Sequence, residues 1–113
     1  MNGGSVKNAK AMAARMTEPW SPLVVAGANG YVLKVVRLDG AFPWHVHENE
    51  DELFYCLEGS FRIERDWAPP AVMREGDALT VQAGSRHRPV ADQPAVALLF
   101  ERAETKQYGD SGR

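Results

Sequence analysis

Beyond residue 18, the hydrophobic positions of the chain fall into short runs that glycine and proline separate. Runs such as YVLKVVRL and ELFYCLEG are rich in β-branched and aromatic residues, and they recur about every 8 to 12 residues. No segment in this part keeps a helical period between capping signals. The runs predicted as strands are residues 31–38, 42–47, 52–59, 60–67, 71–75, 78–82, 86–90 and 95–101. This spacing is typical of an all-β domain, built as a sandwich or a barrel.

Glycine and proline also indicate how neighbouring strands connect. Glu58, Gly59 and Ser60 predict a tight hairpin between the third and fourth runs. Pro69 and Pro70 predict a loop after the fourth run, because two successive prolines remove two N–H donors from a strand ladder. These signals favour short strands that are joined by turns and loops.

A chain of 113 residues is long enough for one domain and too short for two. Residues 1–18 are predicted to form a leader, whose alanine-rich part is either a short helix or a frayed segment. Residues 19–107 carry the strand pattern and are assigned to the domain. Residues 108–113 are polar and contain glycine, and they are predicted to be a flexible tail.

The composition limits the possible classes of function. Hydrophobic residues make up 44% and charged residues 25% of the chain, which fits an ordinary globular protein. The net charge is −2 and the basic residues are scattered, so we expect no nucleic-acid partner. No apolar run approaches the roughly 20 residues that cross a bilayer, so we expect no membrane partner. Cys56 is the single cysteine, which excludes an internal disulfide, and no secretory signal is recognisable, so we expect a cytoplasmic protein.

The stretch HVHENEDELFYCLEG is the strongest candidate for chemistry. Side chains alternate across a strand, so His45 and His47 share a face, with Cα atoms about 6.6 Å apart. Two imidazoles at that spacing can converge on one metal ion. After the acidic turn, Glu52 opens the returning strand beside them, and His87 follows the turn at Gly84. Three imidazoles and a carboxylate suit Fe, Mn, Ni or Zn.

The same residues also have simpler interpretations. An H-x-H pair is more often an exposed or hydrogen-bonded pair than a metal site. The acidic run at residues 48–52 is typical of a solvated turn, and His87 alone fits a structural histidine. Together, the H-x-H pair, the acidic residue and His87 indicate a metal site more specifically than any one of them does alone.

These residues resemble the two motifs of the cupins. In the first motif, a glycine precedes H-x-H, a glutamate and a second glycine. Here it reads Gly40, His45, His47, Glu52 and Gly59. The second motif joins a glycine to a later glycine and a histidine, and it reads Gly76, Gly84 and His87. The stretches WHVHENEDELFYCLEG and AGSRHRPVA are particularly similar to small single-domain cupins of the mannose-6-phosphate isomerase-like type.

The resemblance extends over about residues 19–107, and its implications are specific for fold and metal but not for substrate. It implies a single-domain jelly-roll β-barrel. It also implies a divalent transition metal, with the family's ligands carried onto His45, His47, Glu52 and His87. All four ligand types of the family are retained in this sequence.

The sequence departs from the cupin motifs at three positions. The gap between Gly40 and His45 is one residue short, which alters the preceding turn but not which face the ligands share. Gln82 replaces a proline, so a rigid backbone dihedral is lost but no ligand. Ala91 replaces an asparagine, so any contact from that residue to the ligands is absent.

Strand alternation extends the site beyond the ligands. If Glu52 faces the interior, Phe54 and Cys56 do so too. Phe54 is predicted to line the pocket about 7 Å from Glu52. Cys56 lies about 13 Å away along the strand, too far to bind the same ion. It is predicted as a second lining residue, either a redox-active thiol or an inert buried one.

The opposite face of this strand predicts a partner. Leu53, Tyr55 and Leu57 point outward, and three successive apolar side chains on an outer face favour contact with another sheet. Cupins commonly pair through such a face, so the resemblance implies a homodimer.

Three functions fit these features. The first is a metal-dependent enzyme of dioxygenase or isomerase type that acts on a small polar molecule. The second is a non-catalytic barrel that binds or senses a small ligand, and the third is a barrel with a purely structural metal. A closed, dry site favours the third function, and an open site without a polar base nearby favours the second.

Overall fold

The computed structural model describes residues 4–110 and has one short helix and seven strands in that range. The elements are α1 (Ala9–Ala14), β1 (Leu23–Ala28), β2 (Tyr31–Ala41), β3 (Glu52–Glu58), β4 (Ser60–Arg65), β5 (Ala68–Arg74), β6 (Ala78–Val81) and β7 (His87–Arg102). The predicted all-β class is therefore confirmed. The predicted hairpin is present between β3 and β4, where Gly59 has a φ of 77° that suits glycine.

Strand β7 connects the two faces of the sheet. It pairs antiparallel with β2, with β4 through its first residues and with β3 through its last residues. The strand order is β1-β2-β7-β3-β6, and β5 joins through β4. The sheet folds over in the manner of a jelly roll, although its hydrogen bonds do not close into a complete ring within residues 4–110.

The predicted strands 86–90 and 95–101 are one continuous strand. Against β2, Leu38 pairs with Ala95 while Gly40 pairs with Ala91, so β7 has two more residues than its partner at this point. Residues 92–94 are exposed there. A bulge of this kind bends a strand without ending it, and a proline is tolerated in it. The prediction of two separate strands at residues 86–90 and 95–101 is therefore wrong.

Two other strand predictions are wrong. Residues 42–47 form no strand, only an isolated bridge between His45 and His87. The predicted loop at Pro69 and Pro70 belongs to β5, which starts at Ala68. Both prolines fit because β5 pairs with β4 alone and the register shifts beside them. Strand β1 was not predicted.

Strand β2 has packing on both of its sides. Val36 and Leu38 join the core between the two faces of the sheet. Val35 packs on the other side with Val96 against Ala13 of α1, whose side chain is 1% exposed. The alanine-rich part of the predicted leader is thus a helix that docks on the sheet. Among the described residues, no helix has the length and hydropathy needed to cross a membrane.

Residues 105–110 pack on the segment that carries two predicted ligands. The N–H of Asp110 donates to the carbonyl of Val46 at 2.9 Å. Tyr108 stacks on Phe42 with ring centroids 4.8 Å apart. The boundaries 1–18, 19–107 and 108–113 stay predictions, and residues 1–3 and 111–113 lie outside the described part of the chain.

Candidate metal centre

Four predicted ligands meet inside the sheet. The side chains of His45, His47, Glu52 and His87 are between 0% and 8% exposed. One potential ligand atom from each lies within 4.8 Å of the others. The structure thus brings together a buried His, His, Glu, His cluster that is able to hold a metal ion.

Regular strands position two of these residues. Glu52 is the first residue of β3 and pairs with Val81 of β6. His87 is the first residue of β7 and pairs with Arg65 of β4. Each therefore lies at a strand end that is fixed by a ladder. His45 is tied to this frame through His87, with which it exchanges two backbone hydrogen bonds of 3.0 Å.

Backbone carbonyls orient two of the imidazoles. The Nδ1 atom of His45 lies 2.9 Å from the carbonyl oxygen of Pro43, and that of His87 lies 2.9 Å from the carbonyl oxygen of Ser85. Because a carbonyl only accepts, each Nδ1 carries the proton and leaves the Nε2 lone pair free. This is the arrangement by which histidines in metal sites are held in one tautomer.

The distances within the cluster suit a single ion. Glu52 Oε1 lies 3.4 Å from His87 Nε2 and 3.5 Å from His47 Nε2. Metal–ligand bonds of about 2.1 Å place neighbouring donors about 3.0 to 3.4 Å apart. The His45 and His87 rings are also close, with centroids 4.4 Å apart. The nitrogen-rich donor set with one carboxylate fits a transition metal such as Fe, Mn, Ni or Zn.

The electrostatics of the cluster favour a bound cation. Burial opposes ionisation of Glu52, but contacts with His47 and His87 outweigh it and hold its pKa far below the usual range. Burial lowers the pKa of His45 to about 4, so this imidazole is neutral at pH 7. Burial also opposes charge on His47, but the Glu52 carboxylate raises its pKa overall. A buried carboxylate needs a positive partner, which is either a protonated His47 or a metal ion.

The segment that carries His45 and His47 is held by the C-terminal segment, residues 105–110. At Gly109, φ is 89°, and a Cβ atom would lie 2.5 Å from the oxygen of Val46 and 3.0 Å from His45 Cβ. Glycine is therefore the residue that allows this close approach. Gly109 lies 62 residues beyond His47 in the chain, and the sequence pattern gave no indication of its role.

His47 differs from the other two histidines. Both of its ring nitrogens are buried. Nε2 faces Glu52 Oε1 at 3.5 Å, and Nδ1 has no hydrogen-bond partner within residues 4–110. One of these nitrogens lies within 4.8 Å of carboxylate oxygens of Glu50 and Asp110. Asp110 Oδ2 also accepts the N–H of Glu48 at 2.8 Å. A buried imidazole whose Nε2 faces the Glu52 carboxylate fits a metal ligand, and Asp110 was not predicted to lie near it.

A cavity of about 40 Å³ adjoins the cluster. It is lined by Trp20, Pro22, Lys34, Val36, Leu38, Phe42, His45, Glu52, Phe54, Pro89, Leu99, Glu101 and Gln107. Trp20, Pro22 and Gln107 are only half-buried, so the cavity opens between them. Phe54 is among these lining residues. Cys56 is not, because it is fully buried in the core, where its Sγ lies 3.3 Å from the carbonyl oxygen of Gly59.

Two charged residues of the cavity were not predicted. Lys34 Nζ lies 2.8 Å from Glu101 Oε2, and Glu101 is 2% exposed. Burial raises the pKa of Glu101 to about 8, and the nearby Glu52 adds to this effect. Both residues lie in runs that were predicted as strands. Alternation alone does not tell which face of a strand is inside, so the sequence pattern could not assign these two side chains to the cavity.

The outer face of the sheet is apolar where α1 does not reach it. A shallow cleft there is lined by Leu33, Leu53, Tyr55, Leu98 and Phe100. Leu53 and Tyr55 point away from the cavity, as predicted, and remain half-buried. Leu57 instead packs with the group of residues around α1.

A jelly roll with a buried three-histidine and glutamate cluster defines a class of metal-site scaffold. The sequence pattern of the cupin domain matches residues 33–101. This is more than half of the chain, which therefore belongs to the cupin family, as the motifs indicated. The mannose-6-phosphate isomerase-like resemblance also has a structural counterpart among solved cupins.

Individual relatives agree with the family. The uncharacterized protein YdbB of Bacillus subtilis (strain 168) is 27% identical over 101 residues, which are 89% of each protein. A cupin-2 domain protein from Shewanella frigidimarina has 29% identity and a TM-score of 0.82, covering 86% of this chain and 94% of its own. Hydroquinone 1,2-dioxygenase PnpCD, solved with Cd²⁺ and 4-hydroxybenzonitrile, has a TM-score of 0.73 over 91% of this chain and 74% of its own. At 22% identity, this last likeness concerns the fold alone.

Proposed function

We propose that the protein is a metal-dependent enzyme whose ion is bound by His45, His47, Glu52 and His87 and whose substrate is a small molecule in the adjoining cavity. The observation that carries this proposal is the position of the cluster at the wall of a cavity that opens to solvent. His45 and Glu52 belong both to the cluster and to the cavity lining. A ligand in the cavity would therefore touch the centre.

The cavity favours an active centre over a purely structural metal. A structural site is closed by its protein ligands, whereas four donors leave two positions free on an octahedral ion. The buried carboxyl group of Glu101 in the same cavity further favours catalysis over passive binding, because it is a polar group that can exchange a proton with a ligand. The alternative of a sensing or binding barrel would need no such group.

Each part of the chain has a role in this proposal. A bound ion would supply Lewis-acid or dioxygen chemistry, as in oxygenases and isomerases. The carbonyls of Pro43 and Ser85 accept from Nδ1 of His45 and His87, respectively. Each Nε2 is thereby left free to bind the ion. Phe54 and Phe42 exclude water from the cavity wall. One solved protein with a similar fold is a dioxygenase. At 22% identity, this likeness shows that the fold can carry oxygenase chemistry, and it goes no further.

Elemental analysis of protein purified without a metal-affinity column tests the metal. We expect about one Fe, Mn, Ni or Zn ion per chain. Incubation of the metal-loaded protein with a panel of small hydroxylated compounds, followed by mass spectrometry, then tests turnover, with metal-free protein as the control. Bound metal without any new product would favour the binding barrel. Protein that neither contains nor takes up metal would contradict the proposal.

We also propose that two chains pair through the outer apolar cleft. The cleft continues the surface of β3 and β7, and Phe100 is 42% exposed in it. An exposed apolar surface of this kind favours association. Light scattering at micromolar concentration should give twice the chain mass of 12.5 kDa. A monomer mass would contradict the dimer, and the cytoplasmic location stays a prediction.

A further inference from the structure

We propose that Trp20 determines the size of the molecules that reach the metal centre, because its indole ring closes most of the mouth of the cavity. With Trp20 in place, the cavity admits molecules of only a few non-hydrogen atoms. A larger molecule enters only where this ring is absent or displaced. The inference deepens the proposed function and rests on it for the identity of the centre. It stands on the backbone, the hydrogen bonds and the ring contacts of Trp20.

The backbone of Trp20 has an unusual conformation. Its φ is 62°, and among residues 4–110 the other non-glycine residue with a positive φ is Asn29. Asn29 lies between β1 and β2, and asparagine tolerates this region, whereas a bulky side chain there is an outlier. Such conformations persist where the surroundings impose them, and they concentrate at functional sites. The conformation of Trp20 therefore calls for a reason beyond the local turn.

Three hydrogen bonds hold Trp20 in this conformation. Its N–H donates to the carbonyl of Arg37 at 2.8 Å, and its indole Nε1–H donates to the carbonyl of Asp39 at 3.0 Å. Gln107 Nε2 donates to the carbonyl of Trp20 at 2.7 Å. Every polar group of Trp20 thus has a partner, and these partners belong to two distant parts of the chain. The position of the indole ring is therefore well defined.

The indole ring lies at the mouth of the cavity and leads inward to a metal ligand. Trp20 is half-buried and belongs to the cavity lining. Its ring packs on Phe42 with centroids 4.9 Å apart, and Phe42 meets the His45 imidazole edge-on at 5.2 Å. One ring thus separates the indole from the cluster. A molecule that passes Trp20 therefore arrives next to the centre.

The volume of the cavity gives the expected size limit. The cavity holds about 40 Å³, which is room for about three water molecules. An apolar cavity that binds benzene has a volume of about 150 Å³. A phenyl ring therefore does not fit beside the centre while the indole ring is in place. We expect formate to reach the ion and benzoate to be excluded.

Formate and benzoate test this size limit in protein loaded with Co²⁺. Both are carboxylates of the same charge that bind a metal through the same group, so they differ mainly in size. Their affinities are measured from the visible absorption of Co²⁺, which changes when a new ligand binds. In the wild type, formate should bind at least about tenfold more tightly than benzoate.

The substitution Trp20→Gly should remove this selectivity. Glycine tolerates a φ of 62°, so the backbone can keep its conformation while the indole ring is lost. The ratio of formate to benzoate affinity should fall to about one, because the benzoate affinity rises about tenfold while the formate affinity changes less than about threefold. Trp20→Phe keeps a smaller ring at the mouth and should give an intermediate ratio.

Trp67→Ala is the matched control. Trp67 is 59% exposed, packs on Arg65 and is not among the residues that line the cavity. Its substitution removes an indole ring elsewhere and should leave both affinities unchanged. A change in selectivity in this variant equal to that of Trp20→Gly would contradict the assignment to Trp20.

Benzene tests the mouth of the cavity without a metal. Metal-free wild-type protein should take up no benzene, whereas Trp20→Gly should bind it in the enlarged apolar cavity. Ligand titration with NMR detection measures this uptake. The amide shifts in the variant should centre on residues 36, 38, 42 and 99, which line the cavity.

Wild-type protein that binds benzoate as tightly as formate would overturn the role of Trp20, and so would selectivity that survives in folded Trp20→Gly. If that variant does not fold, an unchanged ratio in Trp20→Phe would overturn it. Loaded protein without size selectivity would leave the proposed function standing. Protein that takes up no Co²⁺ would contradict the proposed function, and benzene would then decide on Trp20: uptake by the variant alone supports its role, and any other pattern overturns it.

Discussion

The four residues of the metal cluster come from two kinds of structure. Glu52 and His87 begin β3 and β7, where ladders to neighbouring strands fix the backbone. His45 and His47 lie in a segment without a strand. The bridge to His87, the N–H of Gly84 donating to the carbonyl of His47 at 2.8 Å, and the C-terminal segment hold it in place. The first pair depends on the sheet, which the whole core stabilises. The second pair depends on a few local contacts, so its geometry can change while the fold persists.

This difference indicates which substitutions would disturb metal binding and which would disturb the fold. A substitution that loosens residues 43–48 should weaken metal binding more than it weakens the fold. A substitution in β3 or β7 should affect both together, because the same hydrogen bonds hold the strand and the ligand.

The double substitution His45→Ala with His47→Ala should abolish metal binding and leave the fold intact. Two donors leave with it, and no ladder hydrogen bond is lost, because neither residue lies in a strand. Elemental analysis should find metal at the background level after reconstitution, while circular dichroism keeps the β signal. Unchanged metal content would refute the ligand assignment, and loss of the β signal would refute the independence of the two regions.

Metal affinity should fall as the solution becomes more acidic. A metal binds only an unprotonated imidazole, so protons compete with it. Glu52 raises the pKa of His47 despite its burial, whereas burial lowers that of His45 to about 4. As pH falls, His47 therefore takes up a proton first, while His45 stays neutral and Glu52 stays ionised. We expect the affinity to fall steadily from pH 7 to pH 5, by at most about tenfold per pH unit, because one proton competes with the metal at His47.

Competition with a chelator of known affinity at each pH measures this slope. A constant affinity between pH 7 and pH 5 would contradict the assignment of His47 as a ligand. Circular dichroism of the metal-free protein over the same range is the control, because a fall in affinity that merely follows unfolding would not report on the site.

The substitution Gly109→Ala should weaken metal binding about tenfold, in the range seen when groups that orient metal ligands are changed. The new methyl group would lie 2.5 Å from the carbonyl oxygen of Val46 and 3.0 Å from His45 Cβ, so the segment must shift. The positive φ adds about 1 to 2 kcal/mol of backbone strain. Metal affinity comes from chelator competition and stability from denaturant unfolding.

Gly76→Ala is the matched control. Its φ of 93° resembles the 89° of Gly109, but nothing lies within 4 Å of the added Cβ atom. Both variants should lose a similar amount of stability from backbone strain, and only Gly109→Ala should lose metal affinity. Equal losses of affinity would mean that global stability, and not the contact with Val46, governs the site.

Sequence could predict those parts of the molecule that local patterns determine. Strand alternation predicted Phe54 on the inner face together with Glu52, and the second cupin motif assigned His87 to the metal ligands. What escaped prediction depends on register between distant segments. Lys34 and Glu101 are 67 residues apart, and only the pairing of β7 with β2 and β3 brings them into one cavity.

The two segments that were misjudged show the same limit. Residues 42–47 have the alternation of a strand but are held as a bridge, because the C-terminal segment occupies their flank. The apolar runs of β7 were separated at Pro94, since a proline signals a break unless a bulge accommodates it. Neither a neighbour from the far end of the chain nor a bulge leaves a signal in the local pattern.

The smallest expected effect concerns Asp110. Its Oδ2 accepts the N–H of Glu48 at 2.8 Å, one residue after His47. The bond is exposed, so Asp110→Ala should cost about 0.5 to 1.5 kcal/mol locally and weaken metal binding only about threefold. Asp77→Ala is the matched control, because Asp77 Oδ2 accepts the N–H of Arg74 at the same 2.8 Å in an exposed turn away from the cluster. Chelator competition should separate the two variants although their unfolding free energies fall alike. If both leave metal affinity unchanged, the segment that carries His45 and His47 is held by the packing of Gly109 and not by this hydrogen bond.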